Sequence, residues 1–119
     1  MAPPAVLVID DDPDDAELAR LALEEALPAL GVRVVTRREQ LAPALAAATP
    51  RLVLCDLNIP GWPCDEILAG VRASAPAARV VLLTGAPPPG DAVLPVVDAL
   101  LLKDRLPDLP ALVRRLLPG

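Results

Sequence analysis

Histidine, phenylalanine and tyrosine are absent from this chain of 119 residues, and lysine and tryptophan occur once each. Without an imidazole there is no histidine-ligated zinc centre, no Ser-His-Asp triad and no histidine acid–base catalysis. Cys55 and Cys64 are the only cysteines, too few for a thiolate metal centre or a disulfide framework. They are expected to be one buried thiol and one incidental one. No apolar run approaches the length of a bilayer crossing, and the N-terminal MAPPAV contains no basic region. The expectation is a soluble, cytoplasmic protein with no membrane partner.

What is present points to a folded domain. Apolar residues make up 54% of the chain, well above the level at which a sequence fails to collapse. With aromatics nearly missing, the core must be built from Leu, Val, Ile and Ala. The net charge of −5 disfavours a phosphate-tracking surface, so no nucleic-acid partner is expected. The weight of Ala, Leu, Pro and Arg suggests a GC-rich bacterial genome.

Five short apolar, β-branched runs alternate with helix-like segments: AVLVI (5–9), VRVV (32–35), LVLCD (52–56), RVVLLT (79–84) and ALLL (99–102). Such runs suit strands covered on both faces, and the alternation predicts an α/β domain with a parallel sheet. The first helix is expected to start with Asp12 as cap and Pro13 in its first turn, with Asp14 and Asp15 facing the positive end of its dipole. Leu18, Leu21, Ala22 and Ala26 recur at helical spacing, and Pro28 ends the run. A third helix is predicted near 65–75 with Ile67, Leu68 and Val71 inward. The last is predicted near 109–117 with Leu109, Leu112, Val113, Leu116 and Leu117. Pro43 weakens the second candidate (39–48). Pro95 interrupts the fourth (90–97), which should be short, 3₁₀-like or irregular.

In an open parallel sheet, ligands collect at the carboxyl ends of the strands. The first strand ends in Asp10, Asp11 and Asp12, the third in Asp56, the fourth in Thr84 and the fifth in Lys103. Adjacent carboxylates repel, by about 4 kcal/mol at roughly 4 Å and an effective dielectric of about 20. A hard divalent cation such as Mg²⁺ relieves that repulsion. A further carboxylate, a hydroxyl and an ammonium beside it make a place for a phosphoryl group, with Asp56 as nucleophile forming an acyl phosphate. Each residue also has a plainer reading: a loop and helix cap for Asp10 to Asp12, a solvated strand end for Asp56, an ordinary strand threonine for Thr84, a surface charge for Lys103. Against the last, the only lysine stands where a compact, mobile ammonium is needed, in a chain that otherwise uses arginine.

The stretches VLVIDDDP, DLNIPG (56–61), LLTG (82–85) and LLKDRL (101–106) resemble the receiver domain of bacterial two-component response regulators. They occur in the right order, with 45 residues from Asp11 to Asp56, 28 to Thr84 and 19 to Lys103. The resemblance covers the chain from Val6 to about Leu117. It implies a flavodoxin-like, doubly wound (βα)₅ sheet of order 2-1-3-4-5, forming one receiver domain over 1–119 (core 5–117) with no output domain. Asp56 would accept a phosphoryl group from a histidine kinase or histidine phosphotransfer protein. Asp10, Asp11, Asp56 and the backbone carbonyl of Asn58 would hold Mg²⁺. Thr84 would swing to the phosphoryl group and Lys103 would pair with it. No enzyme acting on external substrates is implied. The protein would signal to a downstream protein as a monomer or weak homodimer.

The sequence also departs from that family. Leu100 stands where a tyrosine or phenylalanine often reports the phosphorylated state, and GAPPPGDAVLPVV (85–97) leaves little room for a regular helix on the signalling face. Cys64 replaces a usual glycine, and Asp104 a frequent proline. The rivals are a pseudo-receiver, an interaction scaffold independent of phosphate, and a small Mg²⁺-dependent phosphohydrolase, for which a cap segment and second acid are missing. Trp62, in the loop after Asp56, reads as a hydrophobic plug or as part of a partner surface.

Overall fold

The computed structural model describes residues 5–117. Five parallel strands, β1 (Val6–Ile9), β2 (Val32–Val35), β3 (Leu52–Asp56), β4 (Arg79–Thr84) and β5 (Ala99–Leu102), form one sheet. Their order is β2-β1-β3-β4-β5. Four α-helices connect or follow them: α1 (Pro13–Ala26), α2 (Leu41–Ala47), α3 (Cys64–Ser74) and α4 (Leu109–Leu116). The predicted strands stand within one residue of their expected bounds.

Alternation along each strand divides the core in two. Val6 and Val8, Leu52 and Leu54, and Val81 and Leu83 pack with Ala16, Ala19 and Leu23 of α1 and Leu109, Leu112 and Val113 of α4. Leu7 and Ile9, Val53 and Cys55, and Val80 and Leu82 pack with Leu41 of α2 and Ile67, Leu68 and Val71 of α3. Central β3 is buried along its whole length, which is why its sequence reads as an unbroken apolar run. Both cysteines are buried, so Cys64 is a core thiol rather than an incidental one.

One face was misjudged from the sequence. The buried stripe of α1 is Ala16, Ala19 and Leu23, while Leu18 and Leu21 are exposed. Apolar residues lie on more than one side of this helix, so periodicity alone does not choose between the stripes. The two alanines let the helix approach the sheet closely while Leu23 is fully covered.

Between β4 and β5 there is no helix at all. Pro87, Pro88, Pro89 and Pro95 cannot donate to a helical ladder, and Gly85 and Gly90 favour non-helical backbone. In place of the expected irregular fourth helix there is an irregular segment with one turn, closed by the Ala92 N–H on the Pro89 carbonyl at 3.0 Å. Its far end is fastened where the Asp98 carboxylate accepts from the Val80 N–H at 2.8 Å and from Arg79 at 3.2 Å.

Candidate phosphoacceptor site

Parallel strands that end level with one another bring their last residues together. Asp10 follows β1, Asp56 and Thr84 end β3 and β4, and Lys103 follows β5. Asp10, Asp56 and Thr84 are the only buried polar or charged residues among those described. All three lie at this one edge, which a merely structural strand end does not require.

Asp10 is 1% exposed. Its Oδ1 accepts the Asp12 N–H at 3.0 Å, which turns the chain into α1. Asp12 in turn caps α1 as expected, its Oδ1 accepting from the N–H groups of Asp14 at 2.9 Å and Asp15 at 3.3 Å. Asp56 is held from the other side: its Oδ1 accepts the Asn58 N–H at 3.1 Å. The Leu57 N–H bonds the Leu83 carbonyl at 2.8 Å, fixing the loop after Asp56 to β4. Gly61, at φ 73°, turns that loop, a conformation glycine adopts without strain. Trp62 then falls into the core at 6% exposure, with the Arg38 guanidinium 5.9 Å from its ring centre. It is a plug, not a surface aromatic.

Lys103 supplies the positive charge. Its Nζ lies 2.8 Å from Asp10 Oδ2, 2.8 Å from Asp15 Oδ2 and 3.4 Å from Asp56 Oδ2. It donates hydrogen bonds to Asp15 and Asp56. Toward Asp10 it is out of line, and Asp10 Oδ2 is buried without a hydrogen bond. Burial pushes the Asp10 carboxyl up to about 6, against the Lys103 ammonium and the Asp12 N–H, with the Asp56 charge adding to the rise. For Lys103, burial works to lower the pKa, but Asp10 and Asp15, with Asp56 at longer range, more than reverse it and hold the ammonium charged.

Carboxylate oxygens of Asp10, Asp11 and Asp56 can all lie within 4.8 Å of one another. Three carboxylate donors this close fit a small hard cation, and Asp10 Oδ2, buried, has only the Lys103 ammonium at 2.8 Å beside it. Asp11, unlike Asp10 and Asp56, is exposed. Thr84 Oγ1 donates to the Ala86 carbonyl at 2.9 Å and accepts from Asn58 Nδ2 at 3.4 Å. Every residue expected from the sequence thus falls at one end of the sheet.

Two contacts escaped the sequence reading. Asn58 was expected for its carbonyl, yet its side-chain amide reaches Thr84. Asp15 was assigned to the helix dipole, yet it ion-pairs with a lysine 88 positions away. Its place on the first turn of α1, beside the acidic pair, was the one signal available.

The model of the response regulator receiver domain family matches residues 6–96, and the chain belongs to that family. Among solved structures, chemotaxis protein CheY4 of Vibrio cholerae superposes with TM-score 0.78 at 25% identity, covering 98% of this chain and 100% of that one. The response regulator TrrA of Thermotoga maritima, in complex with Mg²⁺-BeF, gives 0.78 at 24% identity over 96% and 99%. The BeF₃-activated receiver domain of DrrB gives 0.76 at 20% identity over 96% and 97%. The Leu100 departure also has a place: Leu100 is half-buried against the α3 side of the core, without an aromatic ring's means of signalling by rotation. Among the described residues, no helix is long and apolar enough to cross a membrane.

Proposed function

We propose that this protein accepts a phosphoryl group on Asp56 from the phosphohistidine of a histidine kinase or histidine phosphotransfer protein, and signals by a change in its affinity for a downstream protein. The observation that carries this reading is the convergence of Asp56 with Asp10, Asp11, Thr84 and Lys103, where all three buried polar or charged residues among those described are found.

In the transfer, a carboxylate oxygen of Asp56 forms a bond to phosphorus as the donor's P–N bond breaks, and the electron pair returns to the donor imidazole. Asp56 Oδ1 accepts the Asn58 N–H at 3.1 Å and Oδ2 accepts from Lys103 at 3.4 Å, the longer and weaker of the two bonds, so Oδ2 is the oxygen more readily released to react. The Lys103 ammonium offsets the charge of the incoming phosphoryl oxygens. Thr84 reaches them by turning its hydroxyl from the Ala86 carbonyl. Asp10, Asp11, Asp56 and the Asn58 carbonyl would hold Mg²⁺, whose bound charge lowers the repulsion between carboxylates and phosphoryl group. The protein would be cytoplasmic, a monomer or weak homodimer, and would hydrolyse only its own acyl phosphate rather than external phosphate esters.

The missing helix between β4 and β5 and the aliphatic Leu100 favour a second reading, a scaffold that binds partners irrespective of phosphate. Intact mass after acetyl phosphate and Mg²⁺ separates the two. One phosphoryl adduct, absent in Asp56→Asn, supports the receiver. No adduct, together with Trp62 emission unmoved by Mg²⁺ and beryllofluoride, leaves the scaffold.

A further inference from the structure

The Lys103 ammonium is shared unequally. It stands as near to Asp15, at 2.8 Å, as to Asp10, and farther from Asp56, at 3.4 Å. Asp15 belongs neither to the acidic pair nor to the cation donors. It is placed by the first turn of α1, whose start is fixed through the Asp12 cap. Leu18, Leu83 and Leu106 wall the gap where Asp15 and Lys103 meet, so the pair is only partly open to water and less screened than a surface ion pair.

We infer that Asp15 is a positioning residue that holds the Lys103 ammonium on the α1 side of the pocket, in competition with the phosphoryl group on Asp56. The inference rests on the reading of Asp56 as phosphoacceptor. A cation taken up by Asp10, Asp11 and Asp56 repels the ammonium and engages Asp10, which leaves Asp15 as the lysine's remaining carboxylate partner. The phosphoryl oxygens must then draw Lys103 away from Asp15. An ammonium on a flexible stem suits that exchange better than a guanidinium fork. The strength of the Asp15 pair thereby sets how firmly the phosphorylated form is held.

The test is beryllofluoride affinity with Mg²⁺, read by Trp62 emission or calorimetry, in wild type, Asp15→Asn, Asp15→Glu and Asp14→Asn. Asp14 is exposed in the same turn and makes no ion pair among the described residues, so its variant removes the same charge without touching Lys103. Asp15→Asn is expected to bind about two- to fivefold tighter, Asp15→Glu to return toward wild type, and Asp14→Asn to stay unchanged. Because Lys103 is the only lysine, its labelled side-chain ¹³Cε resonance reports the pair without phosphate chemistry. It should move in anion-free Asp15→Asn and stay in Asp14→Asn. Unchanged or weaker affinity in Asp15→Asn, an equal gain in Asp14→Asn, or an unmoved Lys103 resonance overturns the inference. If wild type binds no beryllofluoride, the phosphoacceptor reading falls and the competition with it, while the Lys103 resonance still decides whether Asp15 holds the lysine.

Discussion

The strand-end pocket and the segment 85–98 meet at Thr84, yet they are built in opposite ways. On one side of Thr84, β4 is buried from Val80 onward, and its neighbour β3 and the next strand, β1, are buried throughout. On the other, Val93 is 97% and Val96 is 86% exposed, with no helix to carry them. The pocket's chemistry needs groups held to within a fraction of an ångström, and a packed parallel sheet supplies that. The segment supplies no such precision. The pocket can therefore be fully formed beside a segment that carries no helix, because the two draw on different residues.

The largest expected effect comes from the packed side. Leu54, in the middle of β3, is fully buried between β1 and β4. Truncation in Leu54→Ala should cost about 3 kcal/mol of stability, within the range for a buried leucine that leaves a cavity. Urea unfolding followed by far-ultraviolet circular dichroism measures this. A loss below about 1 kcal/mol would mean that the sheet closes over the gap, and that the pocket rests on a looser frame than the burial implies.

The second effect has the opposite sign and comes from the pocket itself. Asp10 has its carboxyl raised to about 6, mainly by burial. A carboxyl raised above its unfolded value contributes stability that is complete below about pH 4 and is lost as pH rises through about 6. At pH 7 the metal-free protein carries Asp10 as a buried charge. Asp10→Asn should then raise stability at pH 7 by about 2 kcal/mol and flatten the decline between pH 4 and 7. Mg²⁺ should stabilise wild type at pH 7 by binding the folded state, and the variant less. A variant less stable than wild type at pH 7 without metal would show that the Lys103 attraction outweighs burial.

These two regions also differ in how far they were legible from the sequence. The strands of the packed side announce themselves because burial on both faces demands uninterrupted Leu, Val and Ile. Once the strands are in register, Asp10, Asp56, Thr84 and Lys103 must share one edge. Helical spacing was less informative: α1 offers Leu18 and Leu21 as well as Ala16, Ala19 and Leu23, and only the approach to the sheet selects the second set. The prolines of 85–98 forbade a regular helix but did not say what replaces it. The Asp15–Lys103 pair depends on the distance between α1 and the end of β5, a tertiary quantity that no local pattern encodes.

A smaller effect is expected at Gly61, which belongs to the pocket's loop but not to its packed frame. At φ 73° an added Cβ would meet nothing within 4 Å, so Gly61→Ala is opposed by backbone conformation alone. The expected loss is about 1 kcal/mol, with Trp62 emission shifted if the turn relaxes and exposes the ring. A loss well above that would mean that the loop is tied to the sheet more tightly than its bonds to Leu83 and Asp56 suggest.

The smallest effect should come from the exposed segment, where it sharpens the contrast most. Side chains that remain in water in the folded state contribute almost no burial, so Val93→Ser and Val96→Ser should each change stability by less than about 0.5 kcal/mol. The segment is nonetheless fastened at both ends, by Thr84 on the Ala86 carbonyl and by Asp98 on Val80, and Arg72 donates to the Val96 carbonyl. These bonds use backbone and Asp98 rather than the valine side chains, so the substitutions leave them in place. Amide exchange should follow the same division, with residues 90–94 exchanging far faster than β3, whose amides open only with the whole sheet. A valine substitution costing more than about 1 kcal/mol, or β3-like protection at 90–94, would mean that the segment packs against the domain in solution, and the division drawn at Thr84 would have to move toward β5.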